Sequence, residues 1–528
     1  MSNESIHCKK MRGYIHITTL LLYYSLSITA DCARFSYKEP YRPRRHSSAA
    51  FQNPFVDKSH GSLISHLENA RALASSWWQD TLNLQNAEES RSRTLIFNPG
   101  ANGADPTGNS DSTAELQLTI NQAFEVASRN NLMPGVADLG GVEVHLAGGQ
   151  YAISKPLTLP DQGGGNVVIR GGTLRATSSF PSDRFLIELG SPQLREEWVR
   201  LGGKLANSHG QPAFENIALQ NLMLDANFTA GGILLLNPIR TTIANCYITH
   251  FSSSGISVHG GHETFIQTSF LGQHITTGSD PGERSFSGTA ILLDSNDNAV
   301  TDVVIFSAQT AIEILGQANI ITGVHCYNKA TGWGGVGIMI RQGAAQNRML
   351  GCYLDYTGIV LEETRQITIT NSFFLGDAFV LLRATGNPDV VGLSIVDNMF
   401  SGGNHGVPIV QTKGSFSHVK QTCVDDNSAT GMALRSTRAR VSVAGFGSNW
   451  TADLSETLLF PTSIAHVQYS FFASNENATD SSSVFPSHAL QSVKATSITV
   501  ASDIPVHAIV SFNVDQSTYS ESETMYVA

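Results

Sequence analysis

Asn221-Leu-Met-Leu, Asn245-Cys-Tyr-Ile, Thr268-Ser-Phe-Leu, Val303-Val-Ile-Phe, His325-Cys-Tyr-Asn, Gly351-Cys-Tyr-Leu, Asn371-Ser-Phe-Phe, Asp397-Asn-Met-Phe and Gln421-Thr-Cys-Val align as one recurring tetrad. Their start-to-start spacings are 24, 23, 35, 22, 26, 20, 26 and 24 residues. Between them lie further short apolar runs, among them Gly255-Ile-Ser-Val, Thr289-Ala-Ile-Leu-Leu and Gly337-Ile-Met-Ile. A period in the low twenties, with several short strands per period and Gly, Asn or Asp at the corners, is the pattern of a parallel β-helix. No coil can bury its inward face alone, so stacking must supply the core. A leucine-rich repeat would also be periodic, but the Leu-x-x-Leu-x-Leu frame is missing and β-branched residues dominate.

The repeat absorbs most of a 528-residue chain that length alone would divide into three or four domains. Ahead of it, Ser112-x-x-Glu115 reads as a capping box, and Leu116, Ile120, Ala123, Phe124 and Ala127 form the apolar stripe of a helix. Leu63, Leu67, Ala70, Ala74 and Trp77 place another helix at about 62–84. These short helices would cover the open end of the solenoid. Beyond about 455 the register is lost, and Ala465-His-Val-Gln-Tyr-Ser-Phe-Phe suggests a β-rich C-terminal cap. The expected organisation is therefore a signal at 1–30, an extension at 31–93, an all-β right-handed parallel β-helix at 94–455 and a cap at 456–528.

Lys9, Lys10 and Arg12 precede an apolar run from Tyr14 to Ala30, the layout of a secretory signal; a signal anchor is the alternative. Removing Met1–Ala30 takes away three positive charges and Glu4, moving the net charge from −11 to −13. With 44 acidic against 33 basic residues, a basic field for nucleic acid is excluded. The expectation is a secreted monomer with no membrane attachment after cleavage. Sequons at Asn227, Asn449 and Asn477 are compatible with that route. Cys246, Cys326, Cys352 and Cys423 are too sparse for a disulfide scaffold and lack zinc spacing. Cys246, Cys326 and Cys352 share a tetrad position, so a stacked ladder of thiols is expected, with a Cys326–Cys352 disulfide as the alternative.

The positions just after each tetrad should superpose on one edge. They predict a polar groove containing His250, Gln273, His274, Gln309, Lys329, Asp355, Tyr356 and Asp377. The 35-residue interval inserts Thr276–Gly288 beside His274, a loop able to bring Asp280, Glu283 and Arg284 over that groove. Asp355 and Asp377 lie one coil apart and two positions offset, about 8 Å by strand geometry. That falls in the range of about 6.5–9.5 Å used by inverting glycosidases, where one carboxyl protonates the leaving oxygen and the other activates water. The catalytic candidates are thus Asp355 and Asp377, with no cofactor or metal. Substrate binding is expected from His250, Gln273, His274, Glu283, Arg284, Lys329 and Tyr356, whose cations suit an acidic sugar.

Asn98-Pro-Gly-Ala-Asn-Gly-Ala-Asp-Pro-Thr-Gly108 and Gly140-Gly-Val-Glu-Val-His-Leu146 resemble the opening of pectin-lyase-like β-helix proteins. Gly261-His-Glu-Thr264, Phe270-Leu-Gly-Gln-His-Ile275, Gly282-Glu-Arg-Ser-Phe-Ser-Gly288, His325-Cys-Tyr-Asn-Lys-Ala-Thr331 and Tyr353-Leu-Asp-Tyr-Thr-Gly358 look like the plant QUARTET-type polygalacturonases. The likeness spans roughly 94–515. It implies a right-handed parallel β-helix, secretion, and hydrolysis of α-1,4-galacturonan in pectin, in a family associated with pollen-mother-cell wall breakdown and microspore separation. The chain departs from glycoside hydrolase family 28 in having no Asn-Thr-Asp or Arg-Ile-Lys, and its Asn404-His-Gly406 precedes Asp425-Asp426. The catalytic pair therefore rests on groove geometry. Two other functions stay open: a lyase, for which Asp294, Asp297 and Asp302 are the calcium candidates, and a non-catalytic wall-binding protein.

Overall fold

The computed structural model describes residues 94–126, 130–205, 211–273, 287–327, 335–385, 389–461, 464–473 and 485–518. The helix expected at 62–84 lies outside them. The described chain winds as a right-handed parallel β-helix with three strands per coil. A first face stacks ten strands, from Leu157–Thr158 to Val410–Lys413. A second runs from Thr242–Ala244 to Cys423–Asp425, and a third from Tyr247–Thr249 to Ser428–Thr430. At the N-terminal end the second and third faces merge through the long strands Gly164–Ala176 and Phe214–Asp225.

Three-residue strands suffice because each alternates outward, inward, outward. On the third face the inward column is Leu224, Ile248, Leu271, Ile305, Cys326, Leu354, Phe374 and Phe400, all in register. These side chains are fully or almost fully buried. Each is worth roughly 1.5–3 kcal/mol relative to exposure, gained only when the next coil covers it.

The bends carry the sequence signal. Before each third-face strand a residue takes the left-handed conformation: Asn221, Asn245, Thr268, Asp302, Gly323, Gly351, Asn371, Asp397 and Asp426, with φ between 48° and 62°. One residue, buried in every case but the half-buried Asn427, follows, then the strand. An identical bend precedes the second face, at Glu263, Asp297, Ala318, Gln346, Gln366 and Gln421. Asn and Asp tolerate this region and Gly adopts it freely. Buried asparagines tie bends on successive coils: Thr264 N–H donates to Asn298 Oδ1 at 2.9 Å, Asn298 N–H to Asn319 Oδ1 at 3.0 Å, and Asn319 N–H to Asn347 Oδ1 at 2.8 Å.

This frame corrects three sequence expectations. The true third-face tetrads begin at Asp302 and Gly323, not Val303 and His325, and Gln421-Thr-Cys-Val belongs to the second face, where Cys423 pairs with Ser394. The cysteines therefore form no common ladder: Cys326 points inward from a strand in register with Leu354, while Cys246 and Cys352 occupy bends. All four described cysteines are free. Burial pushes the Cys246 and Cys352 thiols up to about 11, so they are inert rather than nucleophilic.

The helix expected after Ser112 spans Thr113–Phe124 and buries Leu116, Ile120, Ala123 and Phe124 against the first coils. Its capping box does not form. Ser112 Oγ accepts instead from Asp105 N–H at 2.9 Å, and Asp111 Oδ1 takes the Thr113 N–H at 3.0 Å. A second helix, Pro192–Arg200, is capped by Ser191, whose Oγ accepts from Leu194 N–H; Ser191-Pro192 is its start signal in the sequence.

At Arg438 the winding gives way to an antiparallel sheet, earlier than the expected boundary at 455. Its central strand Ser497–Asp515 pairs with Arg438–Asp453, His466–Ala473 and His488–Lys494 around a separate core including Trp450, Val500 and Phe512. Gln516 fastens it to the solenoid through the Phe460 backbone. Among the described residues no helix is long and apolar enough to cross a membrane.

Candidate active site

Outward positions flank every inward residue of the third face, so two columns of side chains run along it. One column contains Tyr247, Phe270, Val304, His325, Tyr353, Phe373 and Met399. The other contains Asp225, Thr249, Gly272, Phe306, Tyr327, Asp355, Leu375 and Ser401. Rings stack within the first: Tyr247 on Phe270 at 6.2 Å and Tyr353 on Phe373 at 5.2 Å, with His325 edge-on to Tyr353 at 4.3 Å. The face is thus an aromatic platform bordered by carboxylates, a surface suited to sugar rings that present apolar faces and polar edges.

Asp355 ends the strand Tyr353–Asp355 between Tyr327 and Leu375 on the adjoining coils. Its Oδ1 is buried with no hydrogen-bond partner among the described residues. This desolvation raises its pKa above the ordinary carboxylate value. Burial likewise lowers the pKa of His325, one coil away, whose Nε2 is buried without a partner among the described residues.

Asp377 stands two residues beyond Leu375, the register partner of Asp355, which is the one-coil, two-residue offset behind the 8 Å expectation. Its surroundings are opposite in kind. Partial burial acts to raise its pKa, but the hydrogen bonds from His405 Nδ1 at 2.8 Å and Gly403 N–H at 3.0 Å, with the His405 charge, outweigh it and leave the pKa lowered. Gly402 lies directly beneath: a Cβ there would overlap Asp377 Oδ1 and crowd Met432. Gly402→Ala should therefore displace the carboxylate and lower kcat roughly 10²-fold, with a stability loss of about 1–3 kcal/mol; steady-state kinetics alongside urea unfolding checks both.

The remaining candidates divide. Tyr356 sits at the left-handed corner after Asp355, φ 55°, with its ring over Gly376, where a Cβ would collide with it. It stays at the rim of the groove. His250 is on the same edge but four coils earlier, roughly 19 Å from Asp355 at ~4.8 Å per coil. Its Nδ1 donates to Asp225 Oδ1 at 2.8 Å, and Asp225 also receives Arg175 Nε at 2.8 Å. Burial tends to raise the Asp225 pKa, but His250, the Asn227 N–H and Arg175 together hold it below the ordinary value. Gln273 is removed from the binding set: it is fully buried, and its Nε2 donates to the Phe251 and Ser287 carbonyls, clamping the ends of the inserted loop. His274, Glu283, Arg284 and Lys329 lie outside the described residues.

The sequence missed His405 and Arg175. His405 was visible only as part of Asn404-His-Gly406; its relevance depends on the 28-residue separation that brings it over Asp377. The three aspartates considered for calcium do not converge. Asp294 pairs with His259, whereas Asp297 and Asp302 form left-handed bends before different faces.

No family model matches the chain. Over 419 residues it is 50% identical to polygalacturonase QRT3 of Arabidopsis thaliana, covering 78% of this chain and 83% of that one. Among solved structures it resembles the Streptococcus pneumoniae surface adhesin PfbA, at 12% identity and a TM-score of 0.48 over 78% of this chain and 99% of that one. It also resembles ORF18 of Geobacillus virus E2, at 11% identity and a TM-score of 0.46 over 81% and 79%. The long alignment at half identity places the chain by itself: it belongs to the QRT3-type polygalacturonase family.

Proposed function

We propose that the protein is a secreted glycoside hydrolase that cleaves α-1,4-linked galacturonan of pectin in the plant cell wall, in the breakdown of pollen mother cell walls that separates microspores. Asp355 is the general acid that protonates the glycosidic oxygen, and Asp377 is the carboxylate that draws a proton from the attacking water. The observation that carries this reading is the opposed environment of the pair. Two carboxylates on neighbouring coils, one shifted towards its protonated form by desolvation and the other shifted towards its ionised form by hydrogen bonds, have the division of labour that acid and base catalysis needs. The platform of Tyr353 and Phe373 supports the rings, and the cations expected from the sequence, Arg284 and Lys329, recognise their carboxylates.

Purified secreted protein incubated with polygalacturonate should release reducing ends without unsaturated products. Unsaturated ends would replace this reading by a lyase, and binding without any release would replace it by a wall-binding role. A protein retained in the cell as an uncleaved, membrane-anchored form would contradict the secreted part of the proposal.

A further inference from the structure

The first face, on another side of the solenoid from the carboxylate groove, carries a second chemical constellation. Ser257 and His259 lie on the strand Ser254–His262, both outward because Ile256 and Val258 between and beside them are fully buried in the core. Ser257 Oγ lies 2.8 Å from His259 Nε2. His259 is in register with Asp294 on the next coil, and its Nδ1 lies 3.3 Å from Asp294 Oδ2. A carboxylate only accepts, so Nδ1 carries the proton and Nε2 is left as the acceptor for the Ser257 hydroxyl. This is the order of contacts that makes a serine nucleophilic in unrelated folds, and such a triad is recognised by geometry rather than by chain order.

Ser257 and His259, both nearly buried, line a cavity of about 330 Å³ whose walls combine Phe185, Trp198, Val199 and Leu292 with the polar Asp183 and Ser254. Trp198 comes from the helix Pro192–Arg200, and its ring stands 5.7 Å from that of His259. Its Nε1–H is buried with no partner among the described residues. Trp198 and Ser257 line the same cavity, so this unused buried donor is a candidate to stabilise a developing oxyanion there. Packing alone would be served more simply by apolar residues, since the same two columns hold Leu234 and Leu236 on the preceding coil and Leu292 on the following one.

We infer that Ser257, His259 and Asp294 form a serine esterase centre, separate from the polygalacturonan site, that hydrolyses carboxylic esters with a small acyl or alkyl group. Ser257 Oγ bonds to the ester carbonyl carbon as its proton passes to His259 Nε2. The carbon–alkoxide bond then breaks, and the departing oxygen takes that proton to leave as an alcohol. Water attacks the acyl-serine, giving its proton to His259. Breaking the Ser257 ester returns a proton to Oγ and releases the carboxylic acid. Asp294 orients the imidazole throughout, and no co-reactant beyond water is consumed. The apolar part of the cavity, Phe185, Trp198, Val199 and Leu292, admits an acetyl or methyl group. Given the pectic substrate proposed above, the esters available are an O-acetyl on a sugar hydroxyl and a methyl ester of the uronate.

The test uses the full-length secreted protein with p-nitrophenyl acetate and an alkyl fluorophosphonate, neither of which depends on the pectin reading. The wild type should hydrolyse the first and be labelled by the second at Ser257. Ser257→Ala should lose about 10³-fold or more of the esterase rate while its release of reducing ends from polygalacturonate stays unchanged; Asp355→Asn should show the reverse. Asp294→Asn, which preserves size, should lower the esterase rate at least about 10²-fold and slow labelling, which guards against a folding defect in the serine variant. Acetate released from acetylated pectin, or methanol from methyl-esterified pectin, identifies the source of the ester. Absence of labelling and of p-nitrophenyl acetate hydrolysis in folded wild-type protein, or equal rates in Ser257→Ala, overturns the assignment.

Discussion

Asp355→Asn is expected to lower kcat on polygalacturonate by about 10²–10⁴-fold, with a much smaller change in KM. The amide keeps the shape of the carboxyl but has no acidic proton to transfer to the leaving oxygen. The wild-type pH profile should be a bell. Its acidic limb reports Asp377, which must be ionised and whose pKa is lowered; its alkaline limb reports Asp355, which must be protonated and whose pKa is raised. Asp355→Asn should remove the alkaline limb from the residual rate. His405→Ala should move the acidic limb upward, because it removes the hydrogen bond and charge that favour the Asp377 anion. The same shifts carry a stability consequence with opposite signs. The Asp377 interactions stabilise the fold above its unfolded pKa, and this is lost as pH falls through the lowered folded value. The Asp355 penalty is absent at low pH and grows as pH rises through its raised value. Asp355→Asn should therefore be more resistant to urea than the wild type at neutral pH and no more resistant in acid. An unchanged rate would remove Asp355 from the mechanism.

Phe374→Ala is expected to destabilise the protein by about 3–5 kcal/mol. Phe374 is fully buried, stacks on Phe400 with ring centroids 4.3 Å apart, and is in register with Leu354. The loss should appear as a lowered urea midpoint. In a solenoid each coil touches only its neighbours, so the damage should centre on the coils bearing Asp355 and Asp377. Hydrogen exchange would then accelerate in 350–404 before it does near the N-terminal coils. Uniform acceleration along the chain would mean that the described coils unfold as one unit.

The fold was legible because three-residue strands and their bends repeat in the sequence itself. What blurred the frame was that each coil contains the same bend twice. Gln421-Thr-Cys-Val and Asn371-Ser-Phe-Phe are equivalent locally but lie on different faces, and only interstrand pairing separates them. Val303 and His325 were misaligned for a related reason: aromatic and β-branched residues occupy both bend and strand positions, whereas the left-handed residue, Asp302 or Gly323, marks the start of the bend. Asp355 and Asp377 lie at the strand end and corner expected of them because Gly351 and Asn371 frame their own coils correctly. Gln273 did not, since nothing in its immediate sequence tells a groove amide from one turned inward to hold two carbonyls. The Ser257, His259 and Asp294 contacts were invisible for the opposite reason: they span two coils joined by an insertion of irregular length.

The bends also limit how this architecture can change size. Because each coil enters its neighbour through the same left-handed residue and the same strand register, adding or removing one whole coil leaves every remaining bend intact. The aromatic platform can then lengthen or shorten only in steps of about 4.8 Å. Gain or loss of a single residue within a strand would instead turn its outward side chains into the core. Descendants of this chain that accept longer or shorter polymers should therefore differ by complete turns of the solenoid, with the Asp355 and Asp377 coils kept adjacent.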